Sequence, residues 1–214
     1  MRYDLTIFDW DGTLMDSIAR IVSCMQAAAR EVEWGELGAA EVRNIIGLGL
    51  PEAIATLCPG ISPDHAERLK ARYSWHFVEG DSTPVTFYPG VEAGLAELSR
   101  QGALAVATGK SRKGLDRIFR QSDTGRFFVG SRTADETRSK PHPQMLEELL
   151  AECGVPPERA IMIGDTEYDM EMARAVGMPR MAVSYGVHDV ARLERTQPVL
   201  IADDFGQVLE HLRG

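Results

Sequence analysis

From residue 84 onward the chain alternates short apolar runs with amphipathic helical patterns, and this alternation limits the possible folds more than any other feature. The apolar runs fall at 103–107, 127–129, 160–163, 181–183 and 199–201, and none shows polar alternation. Helical periodicity fills the gaps at 91–100, 111–121, 143–153, 167–176 and 205–212, with Gly102, Gly154 and Gly177 as natural helix stops. Strands that are apolar on both faces and separated by helices predict a parallel sheet covered on both sides. Leu5-Thr6-Ile7-Phe8 supplies one more such strand at the N-terminus. The expected architecture is an α/β, Rossmann-like, doubly wound parallel sheet.

Between the first strand and residue 84 the pattern is different. Residues 16–33 place Ile18, Ile21, Val22, Met25, Ala29 and Val32 at helical spacing, with Asp16 or Ser17 as the natural N-cap. Further helices are expected at 39–46, 52–57 and 63–79, the last with Ser62 as N-cap and Pro63 in its first position. No good strand pattern occurs here, and Asp81-Ser82-Thr83-Pro84 reads as a return linker. Two domains are therefore expected: a sheet core from 1–15 and 83–214, and an inserted all-helical cap from 16–82.

Composition narrows the function. The 214 residues carry a formal net charge of −9, which argues against a nucleic-acid-binding surface. An anionic ligand would have to be held by a local cluster, since the global field repels it. The three cysteines, Cys24, Cys58 and Cys153, fit neither a metal-ligand spacing nor a disulfide framework. With no membrane-length apolar run and no signal-like N-terminus, a cytoplasmic protein without membrane or nucleic-acid partners is expected.

In open parallel sheets ligands bind beyond the carboxyl ends of the strands. Here those ends carry Asp9, Asp11 and Thr13, then Thr108-Gly109-Lys110-Ser111, then Gly164-Asp165-Thr166 with Asp169 further on; Ser139-Lys140-Pro141 precedes a helix of the same layer. Carboxylates alone would repel a phosphoryl group, whereas a divalent cation reverses that, and Mg²⁺ is typically held by one or two carboxylates plus substrate oxygens. Thr108 and the amides at a helix start supply anion donors, and Lys140 a point charge. Asp9 and Asp11 are two apart, so both can face the site while Trp10 turns into packing. Two carboxylates in unequal surroundings can divide the work, one as nucleophile and one as general acid and base.

Four segments in order, Asp9-Trp10-Asp11-Gly12-Thr13-Leu14, Thr108-Gly109, Lys140-Pro141 and Gly164-Asp165 with Asp169, resemble the motifs of the haloacid dehalogenase superfamily. The similarity spans nearly the whole chain and is greatest to the small-cap subgroup that includes phosphoglycolate phosphatases and β-phosphoglucomutase. It implies that Asp9 is the nucleophile and Asp11 the general acid and base. It also implies that Thr108, Gly109 and Lys140 bind phosphate, and that Mg²⁺ sits on Asp9, the Asp11 carbonyl and Asp165, with Asp169 in support. The expected activity is Mg²⁺-dependent hydrolysis of a small phosphorylated metabolite through an aspartyl-phosphate. The alternatives are phosphoryl transfer of the β-phosphoglucomutase kind and an idle phosphometabolite-binding protein.

Several residues admit two readings. Asp169 reads equally as metal support or as a solvated helix position, and Asp165 as ligand or helix cap. Lys110, Arg112 and Lys113 form either a basic rim or a solvated helix start. Ile46-Gly47-Leu48-Gly49-Leu50-Pro51 is either a connector or a loop closing over substrate, with Arg43 or Gly49 nearby. The five histidines show no ligand spacing.

Overall fold

The computed structural model describes residues 2–214. Six parallel strands form one sheet in the order β5-β4-β1-β6-β7-β8. They are β1 (Leu5–Phe8), β4 (Ala103–Thr108), β5 (Gly130–Thr133), β6 (Ala160–Gly164), β7 (Arg180–Val183) and β8 (Leu200–Ala202). β1 lies at the centre, with Phe8 level with Val106 of β4 and with Ile163 of β6. The chain runs outward from β1 in both directions, so the switch in strand order, where such sheets bind ligands, falls directly beyond Phe8.

Helices cover both faces. α5 (Val91–Leu98), α6 (Arg112–Ser122) and α10 (Phe205–Arg213) pack on one face, around Phe8, Leu95, Val106, Leu115, Ile163 and Phe205. α7 (Gln144–Cys153) and α8 (Glu167–Ala175) pack on the other, around Ile7, Leu146, Leu149, Met162 and Met172. β1 and β6 are therefore buried at every position, which is why they read as unbroken apolar runs. A short helix, α9 (Val190–Glu194), was not expected from the sequence; Asp189 caps it by accepting from Arg192 N.

The stretch after β1 is helical: α1 (Ile18–Glu31), α2 (Ala39–Asn44), α3 (Leu50–Leu57) and α4 (Pro63–Trp75), the last widening into a π-turn at His76–Gly80. These helices share a separate apolar cluster that includes Met25, Val42, Ile54 and Leu69. A two-residue antiparallel ribbon, β2 (Met15–Asp16) with β3 (Thr86–Phe87), joins the outgoing and returning chain. Arg20 Nε donates to the Thr83 carbonyl at 2.7 Å and Ser23 to Asp81 at 2.6 Å, pinning the return segment against α1. The ribbon is too short to leave a periodic signal in the sequence.

One strand is displaced from expectation. Residues 124–127 form a single 3₁₀ turn and the strand begins at Gly130. Phe128 stacks on Phe119 with ring centroids 5.6 Å apart, and both rings meet Trp10 edge-on. The apolar run there reflects core packing from a turn, and a run that short does not distinguish the two.

Candidate active site

Asp9 follows β1 directly, and its amide donates to the Ile163 carbonyl at 2.9 Å, so the chain stays hydrogen-bonded to β6 as it leaves the sheet. Three buried carboxylates converge there. Asp9, Asp165 and Asp169 each offer an oxygen, and these oxygens lie within 4.8 Å of one another. One buried cation faces them: Lys140 Nζ stands 2.8 Å from Asp9 Oδ1 and 2.7 Å from Asp169 Oδ1. The contact to Asp9 is a close charge pair without hydrogen-bond alignment, and both Asp9 oxygens are buried with no donor.

The other two carboxylates are tied down. Asp165 accepts from the Thr13 hydroxyl at 2.8 Å and from Val187 N at 2.9 Å. Asp169 accepts from Thr166 Oγ1 at 2.7 Å and Thr166 N at 3.2 Å, while Thr166 caps α8. The helix cap is thus Thr166 and not Asp165, and Asp169 is fully buried, so the solvated-helix reading of that residue fails. The close approach of Asp165 to the first loop requires Gly12, whose φ is +82° and where a Cβ would stand 2.1 Å from Asp165 Oδ2.

Three carboxylates against one ammonium leave an excess of negative charge in a water-poor place. Burial pushes the Asp9 carboxyl well above its usual range; Lys140 opposes this, and Asp169 and Asp165 add to it. Burial and then the Asp169 charge push Asp165 up to about 7. Burial would lower Lys140, but Asp169 and Asp9 outweigh it and hold its ammonium above the ordinary lysine range. A divalent cation fits this cluster: it would supply the missing positive charge and the partner that the Asp9 oxygens lack.

Asp11 has partners of its own. Its Oδ1 accepts from the Ser17 hydroxyl at 2.5 Å and pairs with Lys110 Nζ at 2.9 Å. Lys110 in turn lies 4.9 Å from the centroid of the Phe77 ring, on the π-turn. Ser17, expected as a helix cap, makes no cap bond, and Lys110 is a largely covered partner of Asp11 and not a rim lysine. Sequence reasoning missed both roles; the only signal was that each lies a few residues beyond a strand end. Thr108 is fully buried, its hydroxyl accepting from Lys110 N at 3.3 Å.

Asp9 and Asp11 both open onto a cavity of about 450 Å³. Gly109 and Lys110 line it from the sheet side, and Ile21, Met25, Leu48, Tyr73 and Phe77 from the helical segment. The 46–51 loop presses onto the sheet edge: a Cβ on Gly109 would stand 2.6 Å from the Leu48 carbonyl, and Gly49 N donates to Ser139 Oγ at 2.7 Å. Asn44 adds two contacts, its carbonyl accepting from Tyr168 and its side chain from Arg192. Arg43 is exposed.

Residues 6–183 match the model of the haloacid dehalogenase-like hydrolase family. The chain belongs to this family. Among its relatives is "Probable phosphatase IndB" of Dickeya dadantii, 33% identical over 212 residues, covering 96% of this chain and 91% of that protein. The phosphoglycolate phosphatase of Vibrio cholerae is 29% identical over 217 residues, covering 96% and 95%. A haloacid dehalogenase-like family hydrolase from Streptococcus pneumoniae superposes with a TM-score of 0.84 at 26% identity, each chain 99% covered. Within the family fold, the acidic cluster lies at the central switch point, where the two halves of the sheet diverge from β1.

Proposed function

We propose that the protein is a Mg²⁺-dependent phosphatase of a small phosphorylated metabolite, with Asp9 as nucleophile. The observation that carries this reading is the Asp9 carboxylate itself: buried, without a hydrogen-bond donor, 2.8 Å from an ammonium, and open to a cavity. Kept ionised by Lys140 and a bound divalent cation, a carboxylate so little solvated is disposed to attack phosphorus. The phosphatase names of the relatives from Dickeya and Vibrio support a phosphate monoester as substrate.

In this reading Asp9 attacks the phosphoryl group in line and the bond to the leaving oxygen breaks. Asp11 gives that oxygen a proton, then takes one from the water that hydrolyses the aspartyl-phosphate. Ser17 and Lys110 hold one Asp11 oxygen, leaving the other for proton transfer. Lys140, the Gly109 and Lys110 amides and Thr108 hold the phosphoryl oxygens. Bound among Asp9, Asp165 and Asp169, with the Asp11 carbonyl, Mg²⁺ would screen the attacking carboxylate from the phosphate charge. Residues 16–82 act as a cap over a core of 1–15 and 83–214, excluding water when closed. The three unpaired cysteines support a cytoplasmic setting. The presence of Asp9, Asp11 and Lys140 together counts against an idle binding protein.

Asp9→Asn should reduce phosphate release to background, and EDTA should do the same reversibly on Mg²⁺ addition. Mass spectrometry of acid-quenched Asp11→Asn enzyme, reacting with an aryl phosphate, should find the phosphoryl group on Asp9. Its presence on another residue, or normal turnover by Asp9→Asn, would falsify the mechanism.

A further inference from the structure

The cavity above Asp9 and Asp11 is larger and more apolar than a two-carbon phosphate requires. Its volume of about 450 Å³ lies within the roughly 300–1,000 Å³ of clefts that enclose drug-sized ligands. The wall facing the two aspartates is built from Ile21, Met25, Leu48, Leu50, Tyr73 and Phe77. Two of these are aromatic, with the Tyr73 and Phe77 ring centroids 6.0 Å apart.

Positive charge near the two aspartates is already committed. Lys110 is paired with Asp11 at 2.9 Å and covered by Phe77, and Lys140 is shared between Asp9 and Asp169. The other cations on the cavity, Lys113 and Arg117, stand one and two turns further along α6, and Lys113 is exposed. A short hydroxy-acid phosphate such as 2-phosphoglycolate would set its carboxylate within a few ångströms of its phosphate. That places a second anion between two aspartates and an apolar wall, with no uncommitted cationic side chain beside it among the described residues, which is costly. A neutral apolar group in the same place gains the burial free energy of its whole surface.

We infer that the preferred substrate is a phosphate monoester of a bulky, largely apolar, ring-bearing alcohol, not a short hydroxy-acid phosphate. The inference rests on the phosphatase reading above. The phosphate sits at Asp9, the ring lies against Tyr73, Phe77 and Met25, and any second charge lies far enough from the phosphate to reach Lys113 or Arg117.

The test compares kcat/KM of the full chain with Mg²⁺ on 2-phenylethyl phosphate and 2-phosphoglycolate. Both are primary alkyl monoesters, so the leaving groups are similar. Acetyl phosphate and para-nitrophenyl phosphate serve as reactive controls. The ring-bearing ester should be favoured about tenfold to a hundredfold. Equal values, a preference for 2-phosphoglycolate, or release from the controls but from neither alkyl ester would overturn the substrate class and leave the phosphatase reading standing. No release from any of the four would overturn that reading, and the inference with it. Filling the cavity by Ser74→Trp, at an exposed lining position, should raise KM for 2-phenylethyl phosphate about tenfold and leave acetyl phosphate within about threefold. An equal loss on both substrates in a variant that melts like the parent would count against the wall as the selective element.

Discussion

The floor and the far wall of the cavity are built on opposite principles. The floor is charged and overdetermined: Asp9, Asp165, Asp169 and Lys140 are buried, and all but Asp9 are held by hydrogen bonds from Thr13, Val187, Thr166 or one another. The wall is apolar, comes from the helical segment and owes its shape to packing, with few directional contacts. A floor of this kind tolerates almost no chemical change, because each group is the compensation for another. A wall of this kind accepts changes of volume that alter which molecule fits while the reaction stays the same.

Removing the single cation of the floor should have the largest effect. Lys140→Met leaves Asp9 and Asp169 without their partner, an imbalance that typically costs ~3–5 kcal/mol. Urea unfolding in EDTA should show a loss of that size, together with background turnover. A loss below ~1 kcal/mol would mean that the floor does not depend on this charge pairing.

Lys110 lies where floor and wall meet, and its removal should be milder and substrate-dependent. Lys110→Met should lower kcat on alkyl phosphates by ~10–100-fold, part of what proton transfer contributes, and less on aryl phosphates, whose leaving groups need little protonation. Lys110→Arg should restore part of the loss. A uniform loss across leaving groups would show that Lys110 acts on binding and does not position Asp11.

The metal-free floor should also respond to pH in a direction opposite to ordinary surface carboxylates. With its folded value near 7 against an ordinary 3.8, Asp165 favours the folded state most when protonated, and Asp9 shifts in the same direction. That stability is present at low pH and is lost as pH rises through about 7. Most of that loss lies between about pH 4 and 7; over the window from pH 6.5 to 8 the urea midpoint in EDTA should still fall, by about 1 kcal/mol in stability, and then level off, and Mg²⁺ should flatten the trend. The window lies above the titration of His188 and His211, which burial holds below 6.5. Glu31, lowered first by its bond from Arg72, loses its contribution only under acid conditions. A midpoint that rises across the window would refute the crowding of the floor.

The smallest effect belongs to Trp10, which stands between the two aspartates in sequence but behind the floor in space. It is fully buried against Phe87, Phe119 and Phe128, and its indole donates to Met15 Sδ at 3.3 Å. Trp10→Phe should cost ~1–2 kcal/mol of stability and leave kcat within a few-fold. A hundredfold loss of rate in the folded variant would place Trp10 in the site.

Much of this was legible in the residue order because the relevant signals are local. Apolar runs, helix stops and polar residues just past strand ends are short-range patterns, and they yield a parallel sheet with its acidic edge at Asp9, Asp11, Asp165 and Asp169. The strand at Gly130 and the ribbon at Met15 were not legible, since a run of two to four residues carries too little periodicity. What only the tertiary structure decided is partnership. Thr13 meets Asp165 across 152 residues, and Lys140 meets Asp169 across 29. Lys110 looks like a solvated lysine until the first loop and the π-turn bring Asp11 and Phe77 against it. Which charges neutralise each other, and which wall the substrate meets, depends on chain segments brought together by burying the apolar faces between them, and no local pattern records that distance.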